Sequence, residues 1–558
     1  MGSIRPEGGR GDAPLAAPTG SVAPTGLSPE PSGTPLEPLD AWFLTPMQRG
    51  NRFTRLRIFT EGNAVRPLVH GRPYFAALAE AVKRMRAGDL LLFAGWRVDP
   101  DELVLDDTTV AELLGDAARR GVVVKGLVWR SQLDRMRFSQ RQNRRFADLV
   151  NAAGGEVLLD HRVRPFGSHH QKFVVLRHPG RPAEDVVFLG GIDVAHSRRD
   201  DADHHGDPQL MPFAKWYGGE PAWHDVQIEM HGPAVRDVEE VFRERWADPA
   251  LLSRRPRHLV PHLVGGTSLK GDLPAPMPDP PAEGTCAVQL LRTYPNRYPG
   301  YPFAPHGERS VARGYGKALR RASRFIYIED QYLWSTSVAE VFAAALRREP
   351  RLHLVAVVPR FPDQDAELLI PVALHGHTQA LDIVHDAAPD RVLILDLENP
   401  AGQPVYVHSK VCIVDDVWAT VGSDNFNRRS WTHDSELTAA VLDGRRDPRE
   451  PRDPGGTGDG ARVFARSLRL ELWREHLGLE IDEPLLDPDD ALAALRSSVS
   501  ALDAWYDGGC EGPRPAGRLR SHVMAIPTPW QRRVATPAYR VFVDPDGRPP
   551  QMKIRGHH

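Results

Sequence analysis

In "YFAALAEAVKRMRAGDLLLFAGWRVD" apolar residues recur at helical spacing, with Phe75, Leu78, Ala79 and Val82 on one face. Positions 90–93 then form the unbroken apolar run expected of a buried strand. The order repeats in "VAELLGDAARRGVVVKGLVWR", where Gly121 suits a helix stop ahead of a strand over 122–128. Strands separated by amphipathic helices predict a largely parallel sheet covered on both faces. The same grammar returns in "YGKALRRASRFIYIEDQYLW" and "VAEVFAAALRREPRLHLVAVVPR". The chain therefore reads as two α/β copies.

Spacing supports the duplication. Trp96 and Trp334 are 238 positions apart, as are His170 and His408, and "VAE" recurs at 110 and 338. The division expected is a Pro/Gly-rich disordered tail over 1–45, an N-terminal lobe over 46–250 and a linker over 251–285. A C-terminal lobe over 286–485 follows, then an extension over 486–558 whose pattern shows one short helix and a Pro-rich tail. Residues 1–40 hold eight Pro, seven Gly and no aromatic residue, too little apolar surface to offset the entropy of ordering. "DGRRDPREPRDPGGTGDGAR" over 443–462 reads as a charged surface loop.

Composition narrows the function classes. A chain of 558 residues exceeds one ordinary core. Its 70 Lys plus Arg against 73 Asp plus Glu give a net charge of −3, without the electrostatic footprint of a general nucleic-acid binder. Three scattered cysteines, Cys286, Cys412 and Cys510, exclude a disulfide framework and a cysteine-rich zinc site. No apolar run approaches the roughly 18 residues of a membrane span, and no signal-like apolar stretch opens the chain. The expectation is a soluble, cytoplasmic monomer, at most peripheral at a membrane.

Candidate chemistry sits at two places. In "VHSKVCIVD" strand alternation puts His408 and Lys410 on one face, and Asp415 ends the strand, where a carboxylate fixes a turn by accepting backbone N–H bonds. "GSDN" places Gly422, Ser423 and Asn425 at the next strand end, suited to phosphate oxygens. The first copy answers with "SHHQKFVVL" and "VVFLGGIDV": His170 and Lys172 share a face, and Gly190, Gly191 and Asp193 take the places of Gly422, Ser423 and Asn425. Seven residues after His170 stands Arg177 instead of an aspartate, ahead of the inserted "RHPGRPAED", so that turn is built differently, with Asp185 a candidate substitute. Two imidazoles with an ordinary pKa near 6.5 and two ammonium groups supply a nucleophile, an acid and positive charge, the needs of phosphodiester cleavage.

Two HxK motifs, one continued as HxKxxxxD ahead of GSxN, resemble the phospholipase D superfamily. "HHQK", "GGID", "WHDV", "IYIEDQY", "HSKVCIVDD" and "LWREHLG" are similar to the eukaryotic-type and actinobacterial phospholipase D catalytic core, over roughly residues 60–485. The resemblance implies two pseudo-twofold-related lobes, each a mixed β-sheet flanked by helices, with the active site between them. It implies a covalent phosphohistidine resolved by water or another alcohol, so hydrolysis and transphosphatidylation share one intermediate. On that pattern His170 is the nucleophile and His408 the acid and then the base, the reverse assignment remaining open. Glu436 and Asp225 are the carboxylates expected on the far ring nitrogens, Lys172, Lys410 and Asn425 complete the catalytic set, and Gly191, Asp193, Ser423, Trp96 and Trp334 are expected to border substrate. No metal and no cofactor are required. The substrate implied is the distal phosphodiester of a glycerophospholipid, phosphatidylcholine first, at a membrane or micelle surface, with no nucleic acid as partner. A cardiolipin-synthase-like phosphatidyltransferase and a superfamily nuclease are the alternatives. No calcium-binding lipid module is expected ahead of the core, so activity is expected to survive a chelator.

Plainer readings apply to the rest. "SRRDDADHHGDPQ", with Asp200, Asp201, Asp203, His204 and His205, reads as a solvated loop bordering the pocket before it reads as a metal site. Trp216, Tyr217, Trp223, Tyr298, Tyr301 and Phe303 read first as aromatics packed in their own domain and second as a pocket lip that touches lipid. His169 is expected to be a donor behind the site, and Asp415 to do structural more than catalytic work.

Overall fold

The structure, a computed structural model, describes residues 38–131, 140–211, 213–252, 270–363, 370–523, 530, 536 and 539–555. Residues 1–37 of the expected tail and 253–269 of the linker lie outside the described residues. The N-terminal half carries β1 (Thr60–Val69), β2 (Leu90–Gly95), β3 (Val123–Trp129), β4 (Glu156–Asp160), β5 (Phe173–Arg177), β6 (Val186–Gly190) and β7 (Val226–His231). The C-terminal half carries β8 (Cys286–Tyr294), β9 (Phe325–Glu329), β10 (His353–Val357), β11 (Val392–Leu397), β12 (Val411–Val414), β13 (Trp418–Gly422), β14 (Glu436–Asp443) and β15 (Leu519–Ser521).

These strands line up as β4-β3-β2-β5-β6-β7-β1-β8-β14-β13-β12-β9-β10-β11-β15. Leaving β15 aside, the order is the same read outward from the middle in either direction, which is the duplication seen in space. β1 and β8 pair antiparallel through Thr60↔Val288 and Asn63↔Cys286, so the two lobes share one continuous sheet. In each half the outer three strands are parallel, and the inner strands are antiparallel. The sheet is thus mixed where alternation alone suggested mostly parallel pairing. Short connections, 177 to 186 and 414 to 418, can only return a strand as a hairpin, whereas parallel neighbours need a crossover helix.

Strand alternation decides what packs where. Leu90, Leu92 and Ala94 face a core shared by both halves, built on the helices Ala234–Ala247 and Val463–Leu477, while Leu91 and Phe93 face the other side. There each half has its own cover: Gly71–Arg84, Val110–Arg119 and Gln140–Ala152 in the first, Ser310–Leu319, Thr336–Arg348 and Ile370–Ala387 in the second. The predicted apolar face of Phe75, Leu78, Ala79 and Val82 is buried, and Gly121, at φ +89, turns the chain out of its helix into β3.

Two segments differ from expectation. Residues 38–45 are not tail: Trp42, Phe43 and Leu44 are buried, and the Gln289 side chain on β8 both accepts from Leu44 N at 2.8 Å and donates to Leu44 O at 3.0 Å. Three large apolar residues in a row gain more from burial against the C-terminal half than they lose in chain entropy. The extension begins with a twenty-residue helix, Pro488–Asp507, not a short one. Its Leu492, Leu495 and Val499 join the shared core, and β15 closes the edge of β11. Among the described residues no helix is long and apolar enough to cross a membrane.

Candidate active site

His170 and His408 stand just ahead of β5 and β12, which occupy equivalent places in the two halves. Each approach segment is laid along the opposite half. Ser435 N donates to Ser168 O at 3.0 Å and His170 N to Ser435 O at 2.9 Å. Across the dyad, 222–224 pairs in parallel with 405–407, and His408 N donates to His224 O at 2.8 Å. Ser435 and His224 immediately precede Glu436 and Asp225. The consequence is a crossed pairing: His170 Nδ1 lies 3.0 Å from Glu436 Oε2, and His408 Nδ1 lies 2.6 Å from Asp225 Oδ2. Each ring is oriented by a carboxylate from the other half, with its Nε2 left for chemistry.

The lysines turn back toward the same point. Lys172 Nζ donates to His170 O at 3.1 Å and lies 3.3 Å from Asp193 Oδ2; Lys410 Nζ donates to His408 O. Burial, reinforced by Lys172 and Lys410, holds His170 well below the ordinary histidine range. Burial and then Lys410, Arg198 and Lys172 do the same to His408. Each ring is thus depressed by the other half's lysine as well as by its own. Burial also pulls Lys410 down to about 8, and burial with Asp434 nearby raises Glu436 to about 8. A buried cluster of two ammonium groups and two neutral rings is an anion site.

The glycine at 191 is explained by space, since a Cβ there would meet Asp225 Oδ1 at 2.1 Å. Ser423, expected on substrate, is committed elsewhere: its hydroxyl donates to Glu436 Oε2 at 2.6 Å, and its carbonyl lies 3.1 Å from His170 Nδ1. Asp193 likewise acts behind the site, accepting from Trp96 N at 3.0 Å and Arg97 N at 3.2 Å while pairing with Lys172. Asn425 Oδ1 is buried without a hydrogen-bond partner, as suits a polar group that faces the anion site. Trp96 stands at the site, its ring centroid 6.2 Å from that of His170 and 6.0 Å from Lys172 Nζ. Trp334 is not its counterpart, despite the 238-residue spacing. Ala94 pairs with Phe173 and Glu329 with Val411, each three residues past a histidine, so Gln331 takes the place of Trp96, with its Oε1 3.5 Å from Lys410 Nζ. Trp334 instead packs on Tyr332 at 3.9 Å.

Asp415, included in the catalytic set by motif, lies at the far end of β12. Its carboxylate accepts from Ser323 N and Oγ, Arg324 N and Phe325 N at 2.8 to 2.9 Å, tying β12 to the start of β9. Asp185 does comparable work after Arg177, accepting from His178 N at 2.6 Å and Arg177 Nε at 2.9 Å. Asp415→Ala strands three N–H groups, those of Ser323 and Phe325 buried and that of Arg324 partly so, and is expected to cost about 3–5 kcal/mol of stability. Denaturant titration should show that loss, while kcat per folded molecule changes less than about threefold; a kcat loss without a stability loss would return Asp415 to the chemistry.

Sequence reasoning missed Arg198, buried with its guanidinium 3.9 Å from the Trp223 ring, which in turn stands 5.1 Å from His408. No spacing rule marks it, because its loop has no counterpart in the second half. Tyr217, Trp223, Tyr301 and Phe303 are buried as the plainer reading held, whereas Tyr298 is 93% exposed. His169 is fully buried with neither ring nitrogen hydrogen-bonded.

Comparison with known proteins fits this geometry. A family profile described as "Phospholipase D" matches residues 84–260 and 397–541, and one described as "Cardiolipin synthase, PLD-like domain" matches 317–445. The chain is 26% identical over 551 residues to phospholipase D alpha 2 of Oryza sativa subsp. japonica, covering 75% of this chain and 65% of that protein. To phospholipase D alpha 1 of Cynara cardunculus it is 28% identical over 461 residues, covering 63% of this chain and 54% of that protein. The chain thus spans less than two thirds of the length of these two relatives. The solved phosphatidylserine synthase of Haemophilus influenzae Rd KW20 aligns with a TM-score of 0.49 at 13% identity, over 78% of this chain and 93% of that one. Because the first profile takes in more than half of the residues, including both histidine–lysine pairs, the chain belongs to the phospholipase D family.

Proposed function

We propose that the chain is a phospholipase D that hydrolyses the distal phosphodiester of glycerophospholipids, phosphatidylcholine first, to phosphatidate and free alcohol. The observation that carries this reading is the crossed arrangement of two imidazoles, each backed by a carboxylate and flanked by a lysine. The family and the names of its relatives supply the lipid class. With its Nδ1 proton directed at Glu436, His170 Nε2 attacks phosphorus and the bond to the headgroup oxygen breaks. That oxygen takes a proton from His408 Nε2, and the incoming phosphate charge, beside Asp225, favours the protonated ring. His408 then removes a proton from water, which attacks phosphorus and breaks the P–N bond. An alcohol in place of water gives transphosphatidylation. Lys172 and Lys410 neutralise charge on the non-bridging oxygens.

Incubation with phosphatidylcholine and ethanol is expected to release choline and to form phosphatidate and phosphatidylethanol. Cardiolipin from phosphatidylglycerol, or cleavage of nucleic acid with no lipid product, would replace this reading with one of its two rivals. The pH dependence has a definite sign. Lys410, drawn down to about 8, is charged below that pH and neutral above it. kcat/KM, which reports the free enzyme, should therefore fall as pH rises through about 8. In Lys410→Arg the alkaline limb should move up by more than one pH unit, because guanidinium stays charged; a limb unmoved by that change would exclude Lys410 as its source.

A further inference from the structure

Behind Asp225 lies a second buried cluster that the proposed chemistry does not use. His70 follows β1, His204 comes from the loop after β6, His224 precedes Asp225, and Glu475 lies on the helix Val463–Leu477 of the other half. One ligand atom of each lies within 4.8 Å of all the others. His70 Nε2 is 2.7 Å from Glu475 Oε2, and His204 Nε2 and His224 Nδ1 are 3.1 and 3.4 Å from Glu475 Oε1. Tetrahedral coordination with bonds of about 2.0–2.2 Å puts ligand atoms ~3.3 Å apart, a spacing the cluster approaches, with every pair of ligand atoms inside 4.8 Å.

Three further observations point to a ligand. His224 Nδ1 is fully buried, belongs to the cluster and makes no hydrogen bond of normal geometry, its approach to Glu475 Oε1 being 3.4 Å. Its other nitrogen, Nε2, is 2.9 Å from Glu329 Oε2, and His204 Nδ1 is 3.6 Å from Asp200 Oδ2. A carboxylate behind a ring is how metal-bound histidines are held in one tautomer. Finally, among the described residues the ion pairs of the carboxylates Glu475, Glu329 and Asp200 are all with histidines. The equivalent place across the dyad differs: there Asp160 is paired with the guanidiniums of Arg162 and Arg245, and charge is balanced without an ion. The run Asp200–His205 is correspondingly split, with Asp200 and His204 buried inward and Asp203 and His205 exposed.

We propose that His70, His204, His224 and Glu475 bind one divalent transition-metal ion, Zn²⁺ by the chemistry of three imidazoles and a carboxylate, in a closed structural site joining the two halves. The ion touches no reacting atom. It braces Asp225 from two sides, since His224 is its chain neighbour and His70 N donates to Asp225 O at 2.8 Å.

The test uses the untagged full chain, grown in medium supplied with zinc and other first-row metals and purified without chelator, with metal content read by mass spectrometry. About one equivalent of zinc per chain is expected, falling at least tenfold in folded His204→Ala and Glu475→Gln. Should those variants fail to fold, the chelator-treated wild type reloaded with Co²⁺ should show the intense visible bands of a tetrahedral site. Folded variants that keep the wild-type content, or pale octahedral Co²⁺ spectra, would overturn the assignment. So would less than about 0.1 equivalent of every first-row metal together with no rise in Tm when Zn²⁺ is added; the cluster would then be an ion network of protonated imidazoles.

Discussion

His170→Ala should lower choline release from phosphatidylcholine by at least about 10⁴-fold, to the background of the assay, with the protein still folded. The substitution removes the nucleophile of the proposed reaction, in which His408, held by Asp225, serves the leaving group instead. His408→Ala should fall nearly as far, and the double variant scarcely further, since two groups that act in one step do not lose activity additively. The rings are distinguishable by the intermediate. Rapid quenching of His408→Ala with radiolabelled substrate should still trap acid-labile phosphate on the protein when the headgroup leaves without help, whereas His170→Ala should trap none. Trapping in His170→Ala would reverse the roles of the two rings.

Asp225→Asn should reduce kcat roughly 10²- to 10⁴-fold with little change in KM, because the 2.6 Å contact to His408 Nδ1 sets that ring's tautomer and stabilises its protonated form. The crossed geometry makes the stronger statement. Asp225 belongs to the half that supplies His170, yet it serves His408, and Glu436 serves His170 from the half that supplies His408. With a p-nitrophenyl ester in place of choline the leaving group needs no proton. Asp225→Asn and His408→Ala should then regain most of the first-step rate, while Glu436→Gln and His170→Ala should not. A rescue sorted by sequence neighbourhood, Asp225 with His170, would refute the pairing. Separately expressed halves should be inactive for the same reason, each holding a histidine without its carboxylate.

Much of this is legible in the sequence. The helix face Phe75–Leu78–Ala79–Val82 and the strands at 90 and 122 follow from periodicity alone, because burying an apolar stripe is a local constraint with one geometric solution. The histidine–lysine pairs were legible as a repeated motif, although all four residues stand just ahead of β5 and β12 and not within them, so strand alternation is not what brings them together. Equal spacing misled at Trp334: strand register puts Gln331 in the place of Trp96, and connections of unequal length in the two halves make the 238-residue spacing of the tryptophans a coincidence. The residue types at Ser423 and Asp193 suit a substrate anion, but short-range pattern does not show that each also supports a site side chain, Glu436 and Lys172 respectively. Trp42 to Leu44 were lost to the tail by a boundary drawn on composition, whose average cannot see three apolar residues with a distant partner on β8.

By itself the sequence determined the duplication, the two α/β copies, the residues able to do phosphodiester chemistry and Asp415 as a turn support, all properties carried by local pattern. Only the tertiary structure decided that the halves share a single sheet through β1 and β8, that the carboxylates cross between them, and that His70, His204, His224 and Glu475 meet. The physical reason is common to all three. They are contacts between residues far apart in the chain, and pattern at short range constrains which face a residue occupies but not which distant residue that face will meet.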